Sequence, residues 1–190
     1  MKTWMIKFTV ALAFATLLLS GSARAQSDDD GCSLATLKGD YAFTVSGTIW
    51  TGPSNSIAVQ RAGIAMTHFD GNGGLKQVDF VNSSPNMPVP PGPPLIPPSD
   101  PVTGFHNGET GSYIVYKDCT GTFTINDPDF EGTSTPGPQI TANFVISHGG
   151  RAIHTVVTSL VVHTPAGPQT VPALIRSDGY KLGKIEDSWN

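Results

Sequence analysis

The amino-acid sequence predicts an all-β fold, an up-and-down antiparallel β-barrel of about eight strands. Apolar and polar residues alternate along several runs, which is typical of strands with one buried face. Turns rich in glycine, asparagine and aspartate join consecutive runs, and no segment has the period of a long amphipathic helix. Long strands joined by hairpins favour a barrel, and a two-sheet β-sandwich is the alternative.

The hairpin that best defines a register lies within residues 61–82. Its turn, Asp70–Gly74, supplies the positive φ angles that a tight hairpin requires. A slip by one residue would turn every side chain to the other face, so matched apolar residues support a register. The predicted cross-strand pairs are Phe69 with Leu75, Met66 with Val78, and Ile64 with Phe80. We expect Ile64, Met66, Val78 and Phe80 to share the face that points into the barrel.

Further strands are predicted before and after this hairpin. The first begins at Gly39, where large apolar residues alternate with small or polar ones. A second hairpin turns at Asp118–Gly121 and a third at Gly149–Gly150. The pairs predicted around the second turn are Val115 with Phe123 and Tyr113 with Ile125. The return strand of the third hairpin is predicted at 153–162, and residues 172–175 with 180–185 are predicted to form the last strand or strand pair.

The first 25 residues have the features of a signal peptide and are excluded from the fold. Lys2 and Lys7 precede an apolar run at 8–19 that is too short to span a bilayer. Ala23–Ala25 supplies the small residues of a cleavage site. Cleavage there leaves 165 of the 190 residues, enough for one domain. We therefore expect a secreted or periplasmic protein.

The mature chain is predicted to have an N-terminal segment at 26–38 and a single barrel domain at 39–190. Loss of the signal leaves eight of eleven basic residues against fifteen acidic ones, a formal net charge of about −7. An acidic surface argues against nucleic acid and anionic membranes as partners. No later stretch is apolar enough for a membrane helix, and the sequence carries no signal for an oligomeric state.

A proline-rich insertion at 83–101 interrupts the strand pattern and holds nine of the sixteen prolines. Proline lacks the N–H donor of a strand and favours an extended polyproline conformation. A loop of this length in a compact domain is typically a lid, a partner-binding arm or a disordered insertion. All three interpretations stay open.

Two cysteines, Cys32 and Cys119, remain in a chain that is predicted to reach an oxidising compartment. A disulfide between them is the simplest interpretation. Two free thiols and a metal-binding pair are the alternatives, although neither cysteine lies in a Cys-x-x-Cys or Cys/His pattern.

No metal ion or other cofactor is predicted. The five histidines, at positions 68, 106, 148, 154 and 163, are scattered and show no ligand spacing. The Asp70–Gly74 turn begins like a calcium loop, but Val81 stands where an EF-hand requires an acidic residue. There is no Gly-x-Ser-x-Gly motif, and an oxidised Cys119 offers no thiol nucleophile.

Strand parity predicts a ligand site on the barrel lining. Apolar walls with a few placed polar groups are typical of small-molecule pockets. A filled core made of the same side chains is the alternative. The predicted ligand-binding residues are Ile64, Met66, Val78, Phe80, Asn82, Tyr113, Val115, Phe123, Phe144, Thr155, Val157 and Ser159. Glu109 and His68 are expected nearer a rim of the barrel.

Four stretches carry a resemblance to known proteins: CSLATLKGDYAF at 32–43, AGIAMTHFDGNGGL at 62–75, GSYIVYKDCTGTFTI at 111–125 and NFVISHGG at 143–150. Together they resemble a family of exported bacterial proteins of unassigned function. The proline-rich insertion departs from that family's pattern. The layout is more distantly similar to allene oxide cyclase-like and lipocalin-like barrels, and this resemblance implies binding or cyclisation of hydrophobic small molecules.

Three hypotheses of function follow. The leading one is an exported, non-enzymatic barrel that binds a hydrophobic or amphipathic small molecule. The second is a cofactor-free cyclase or isomerase acting on a polyene or epoxide, with Glu109, Tyr113 or His68 as acid or base. The third is a structural or surface-interaction module that uses the proline-rich insertion.

Overall fold

A computed structural model describes residues 31–83, 104–128, 136–164 and 166–183 of the protein. Two short 3₁₀ turns, Leu34–Leu37 and Pro53–Asn55, precede the first and second strands. The predicted signal peptide and most of the proline-rich insertion lie outside the described residues. The strands are β1 (Gly39–Thr51), β2 (Ile57–Phe69), β3 (Gly74–Ser83), β4 (His106–Val115), β5 (Thr120–Asn126), β6 (Gln139–Ser147), β7 (Ala152–Thr164), β8 (Gly167–Thr170) and β9 (Ala173–Lys181).

Eight of these nine strands form a closed antiparallel barrel. Strands β1 to β7 pair in chain order, and β9 pairs with both β7 and β1. A sandwich would leave free strand edges, whereas here the first strand pairs with the last. The predicted up-and-down barrel is therefore confirmed and the sandwich is excluded. The short β8 pairs with the C-terminal part of β7, outside the ring of eight.

The barrel has two different ends. At one of them, the plugged end, the Leu34–Leu37 turn packs against the core and Leu37 is fully buried. The predicted disulfide is confirmed, because Cys32 is bonded to Cys119 in the turn between β4 and β5. At the opposite end, the distal end, β1 and β3 finish while β2 and β4 begin. Among the described residues, no helix is long and apolar enough to cross a membrane.

Aromatic side chains fill the half of the barrel next to the plugged end. The ring of Phe69 meets Tyr41 and Tyr113 edge-on, with centroids 5.4 and 5.0 Å apart. The hydroxyl of Tyr41 donates a hydrogen bond to the carbonyl of Gly150, and the hydroxyl of Tyr113 donates to the carbonyl of Leu34 over 3.1 Å. Buried hydroxyls with partners and edge-to-face rings stabilise a close-packed core. This half of the interior holds the buried aromatic core.

The predicted register is correct in one hairpin and shifted in another. Strands β2 and β3 pair as predicted, with Phe69 opposite Leu75 and Ile64 opposite Phe80. In the second hairpin Tyr113 lies opposite Phe123, not Ile125, and Val115 lies opposite Gly121. The reason is the turn, where the N–H of Tyr116 donates to the carbonyl of Thr120 over 2.8 Å and shortens the loop. A shift of two residues keeps every side chain on its predicted face.

The predicted inward face of the first hairpin was wrong. Ile64 and Phe80 are 51% and 39% exposed, whereas Phe69 and Leu75 are buried. Residues on one face of a strand differ by an even number, and Met66 is three positions from Phe69. Phe69 and Leu75 therefore point inward, and the stripe of Ile64, Met66, Val78 and Phe80 belongs to the outer face.

Candidate functional site

Polar side chains line the inside of the barrel in its distal half. They begin beside the aromatic core, where Thr67, opposite Tyr41 on the inner face of β2, is buried and donates to Oε1 of Gln77 over 2.8 Å. Farther along β3 lies Asp79, and β4 contributes Glu109, directly opposite Gln77. Polar groups inside a barrel are costly to desolvate unless they are paired. This polar wall therefore differs in kind from the aromatic core at the plugged end.

A β-bulge between β3 and β4 brings His106 into the same wall. Gln77 pairs with Glu109 and Asp79 pairs with His106, so a step of two positions on β3 corresponds to a step of three on β4. Within the bulge Gly108 has a φ of 85°, a conformation that glycine adopts without steric cost. Without the extra residue, His106 and Glu109 would lie on opposite faces of the strand.

Asp79, His106 and Glu109 form a close group. Nδ1 of His106 lies 3.0 Å from Oδ1 of Asp79, and one ligand-type atom from each of the three residues lies within 4.8 Å of the others. Glu109 is 2% exposed. Within the described part of the chain, its Oε2 atom is buried without a hydrogen-bond partner. An unpaired buried carboxyl oxygen is unfavourable by about 1–3 kcal/mol, so the group calls for a partner.

The carboxyl groups of this wall hold their protons more tightly than usual. Burial, together with the charges of Asp79 and Asp127, raises the pKa of Glu109 to about 9. Burial, together with the charge of Asp79, raises the pKa of Asp127 to about 6. Burial also raises the pKa of Asp79, although the neighbouring His106 works in the opposite direction. Crowded carboxyl groups with raised pKa values are typical of functional sites.

The three residues predicted as acid or base do not meet. Glu109 belongs to the polar wall, but the Tyr113 hydroxyl lies at the plugged end, where it also accepts the N–H of Gly71 over 3.0 Å. His68 is on the outer face, where its Nδ1 lies 2.8 Å from Oδ1 of Asp40. Its even position on β2 explains this, because Thr67 and Phe69 take the inner face. His68 does lie near one rim of the barrel, beside the last residue of β2, but on the outer face, so it does not join the interior polar groups.

The predicted ligand-binding residues divide between the two faces of the wall. Those on the inner face are Tyr113, Val115, Phe123, Phe144, Thr155 and Val157, and they belong to or pack against the core. Those on the outer face are Ile64, Met66, Val78, Phe80, Asn82 and Ser159. Asn82 follows the parity of Phe80, and a bulge in β7 places Ser159 opposite the outward Thr141. Whether any of them contacts a ligand stays a prediction.

The outward stripe forms part of an apolar groove. Its volume is about 440 Å³, and the ring of Phe105 lies 5.7 Å from that of Phe80 beside it. The groove lies on the outer surface of β9, β1 and β2, not inside the barrel. Its lining residues are Ala42, Phe43, Thr44, Ile64, Ala65, Met66, Phe105 and Tyr180.

Asp79, His106 and Asp127 were missed in the sequence as members of a site. Asp79 and His106 stand on either side of the proline-rich insertion, so their spacing along the chain hides their contact. The available signal was the pattern His-Asn-Gly-Glu at 106–109, in which a glycine between two polar residues indicates a bulge. Strand parity alone separates His106 from Glu109.

Comparison with known proteins adds little to this geometry. No protein-family model matches the chain, and no curated protein matches it. Among solved structures, an S-type phycobiliprotein lyase, CPES from Guillardia theta, is similar with a TM-score of 0.30 and 8% sequence identity. The match covers 80% of this chain and 91% of that chain. A similarity of this size supports no inference about function, and the fold assignment rests on the strand pairing.

Proposed function

We propose that the protein is an exported β-barrel that binds an amphipathic small molecule in the distal half of its interior. The observation that carries the proposal is the buried Oε2 atom of Glu109, which has no hydrogen-bond partner among the described residues. A barrel that needed only a solid core would not retain such a group, because apolar residues of similar volume are less costly to bury.

The surroundings of Glu109 suit a molecule with one polar and one apolar end. Asp79 and His106 keep side-chain exposures of 14% and 16%, so solvent reaches the polar wall. The same half of the barrel carries inward apolar residues on β1 and β2, among them Val45, Ile49 and Val59. Apolar contact area with a few placed polar groups is typical of small-molecule sites.

Export is part of the proposal. The Cys32–Cys119 disulfide is stable in an oxidising compartment and rare in the cytosol. The charged start, apolar run and small-residue cleavage site at 1–25 support the same conclusion.

Native mass spectrometry of protein isolated from its source, followed by displacement of an amphipathic fluorescent dye, tests the binding. Candidate competitors are fatty acids, terpenoids and long-chain amines. We expect Val45→Trp, which adds an indole to the distal interior, to weaken dye binding about tenfold or more, while Ser46→Trp on the outer face leaves it unchanged. If no competitor class binds, or if both variants bind the dye like the wild type, the proposal is wrong.

A further inference from the structure

The Asp79, His106 and Glu109 side chains meet two conditions that a metal site requires. They offer an imidazole nitrogen and two carboxylate oxygens within 4.8 Å of one another. One of these groups, Glu109, is 98% buried, and its Oε2 atom has no hydrogen-bond partner in the described part of the chain. The first condition is the spacing of three ligand atoms, and the second is a buried oxygen atom without a partner.

We propose that Asp79, His106 and Glu109 bind a divalent transition-metal cation of the Zn²⁺ type. This metal site rests on the proposed function, because the cation would lie in the same polar wall as the polar end of the small molecule. Imidazole nitrogen favours Zn²⁺ and its neighbours in the first transition row, whereas Ca²⁺ and Mg²⁺ prefer sites made of oxygen alone. Three protein ligands with a further position for solvent or ligand is the usual arrangement at an open zinc site.

The distances suit a group that closes around an ion. Metal–ligand bonds of about 2.0–2.2 Å bring ligand atoms to within about 3–4.4 Å of one another. A largest separation of 4.8 Å therefore requires only small side-chain rotations. The backbone that carries the ligands is already set by the bulge, which turns His106 and Glu109 to the same face.

Electrostatics favour a cation at this place. Asp79 and Glu109 share the wall with Asp127, whose charge interacts with Asp79. Carboxyl groups crowded in a low-dielectric interior would repel one another when ionised, and a dication offsets that repulsion. Gln77, opposite Glu109 and held by Thr67 over 2.8 Å, can orient the glutamate as outer-shell groups do at metal sites. A bound cation would give the polar end of an amphipathic ligand an anchoring point.

Isothermal titration calorimetry tests the site. Zn²⁺ alone is titrated into the mature protein after treatment with EDTA and removal of the EDTA. We expect one ion per chain, and a Co²⁺ complex with visible absorption bands. Glu109→Gln and His106→Ala should each weaken Zn²⁺ binding about 100-fold or more. The matched control is His154→Ala, because Nδ1 of His154 pairs with Asp178 at 2.7 Å on the outer face without a third ligand nearby among the described residues.

Three results would overturn the metal site: no Zn²⁺ binding, binding that survives either Glu109→Gln or His106→Ala, or Ca²⁺ binding of equal strength. Circular dichroism of each variant separates loss of a ligand from loss of the fold. Dye displacement in the presence of EDTA separates the two proposals. Dye binding without Zn²⁺ binding would contradict the metal site and support the proposed function. Zn²⁺ binding without dye binding would contradict the proposed function and support the metal site.

Discussion

Replacement of Phe69 by alanine tests which face of the first hairpin is the core. Phe69 is fully buried at the plugged end, and its ring lies 5.4 Å from that of Tyr41 and 5.0 Å from that of Tyr113, both edge-on. Removing a buried phenylalanine side chain leaves a cavity and costs about 3–5 kcal/mol of unfolding free energy. For a domain of this size, we expect the melting temperature to fall by about 6–20 °C.

The matched control is Phe80→Ala, on the outer face of the same hairpin. Phe80 is 39% exposed and touches Phe105, so its truncation leaves no enclosed cavity and costs about 1–2 kcal/mol. Urea denaturation followed by far-ultraviolet circular dichroism measures both variants. If Phe80→Ala destabilises the protein as much as Phe69→Ala, the assignment of the two faces is wrong.

Three other predictions follow from the described contacts. The double variant Cys32→Ser with Cys119→Ser should lose about 4–5 kcal/mol of unfolding free energy, because the disulfide closes a loop of 87 residues. A denaturation midpoint equal to that of the wild type would contradict this. Gly121→Ala should cost about 1–3 kcal/mol or more, since a Cβ atom there would clash with the backbone carbonyl of Ile114 and with the ring of Phe144. Gly183→Ala, with nothing within 4 Å, should be neutral in the same assay. Backbone hydrogen bonds from Asn72 and Gly74 hold the pKa of Asp70 below its usual range. The Asp70 carboxylate therefore contributes to the free energy of unfolding at pH values above its unfolded-state pKa, and this contribution is lost as the pH falls through its folded-state pKa. The stability gap between the wild type and Asp70→Asn should therefore shrink below about pH 4 in urea titrations, and a gap independent of pH would refute the assignment.

Much of the fold was predictable from local patterns. The turns at Asp70–Gly74 and Gly149–Gly150 mark two hairpins, and the strand segments around them alternate as β-strands do. The disulfide between Cys32 and Cys119 was also the simplest interpretation of two cysteines in a chain predicted to be exported. These features depend on residues close in the chain or on the absence of any other partner, so no tertiary information was required.

The candidate site was only partly predictable. Glu109 was identified, but its neighbours Asp79 and His106 were not. Their contact depends on pairing of β3 with β4 across the proline-rich insertion and on a bulge at Gly108. A bulge adds one residue to a strand, so beyond it the residues that face inward shift by one position. The alternation of apolar and polar residues does not show whether a bulge forms.

The sequence by itself predicted most of the strands and their order along the chain, because turns and alternation act over a few residues. It missed β8 at Gly167–Thr170, and residues 172–175 and 180–185 correspond to one strand, β9, at Ala173–Lys181. Only the tertiary structure decided which side of the sheet is inside. Both sides of the first hairpin carry apolar residues, Phe69 and Leu75 on one and Ile64 and Phe80 on the other. The choice between them was made by the aromatic partners that closure of the barrel brings to Phe69. Pairing of β3 with β4 and the bulge at Gly108 placed the carboxyl groups of Asp79 and Glu109 in one wall.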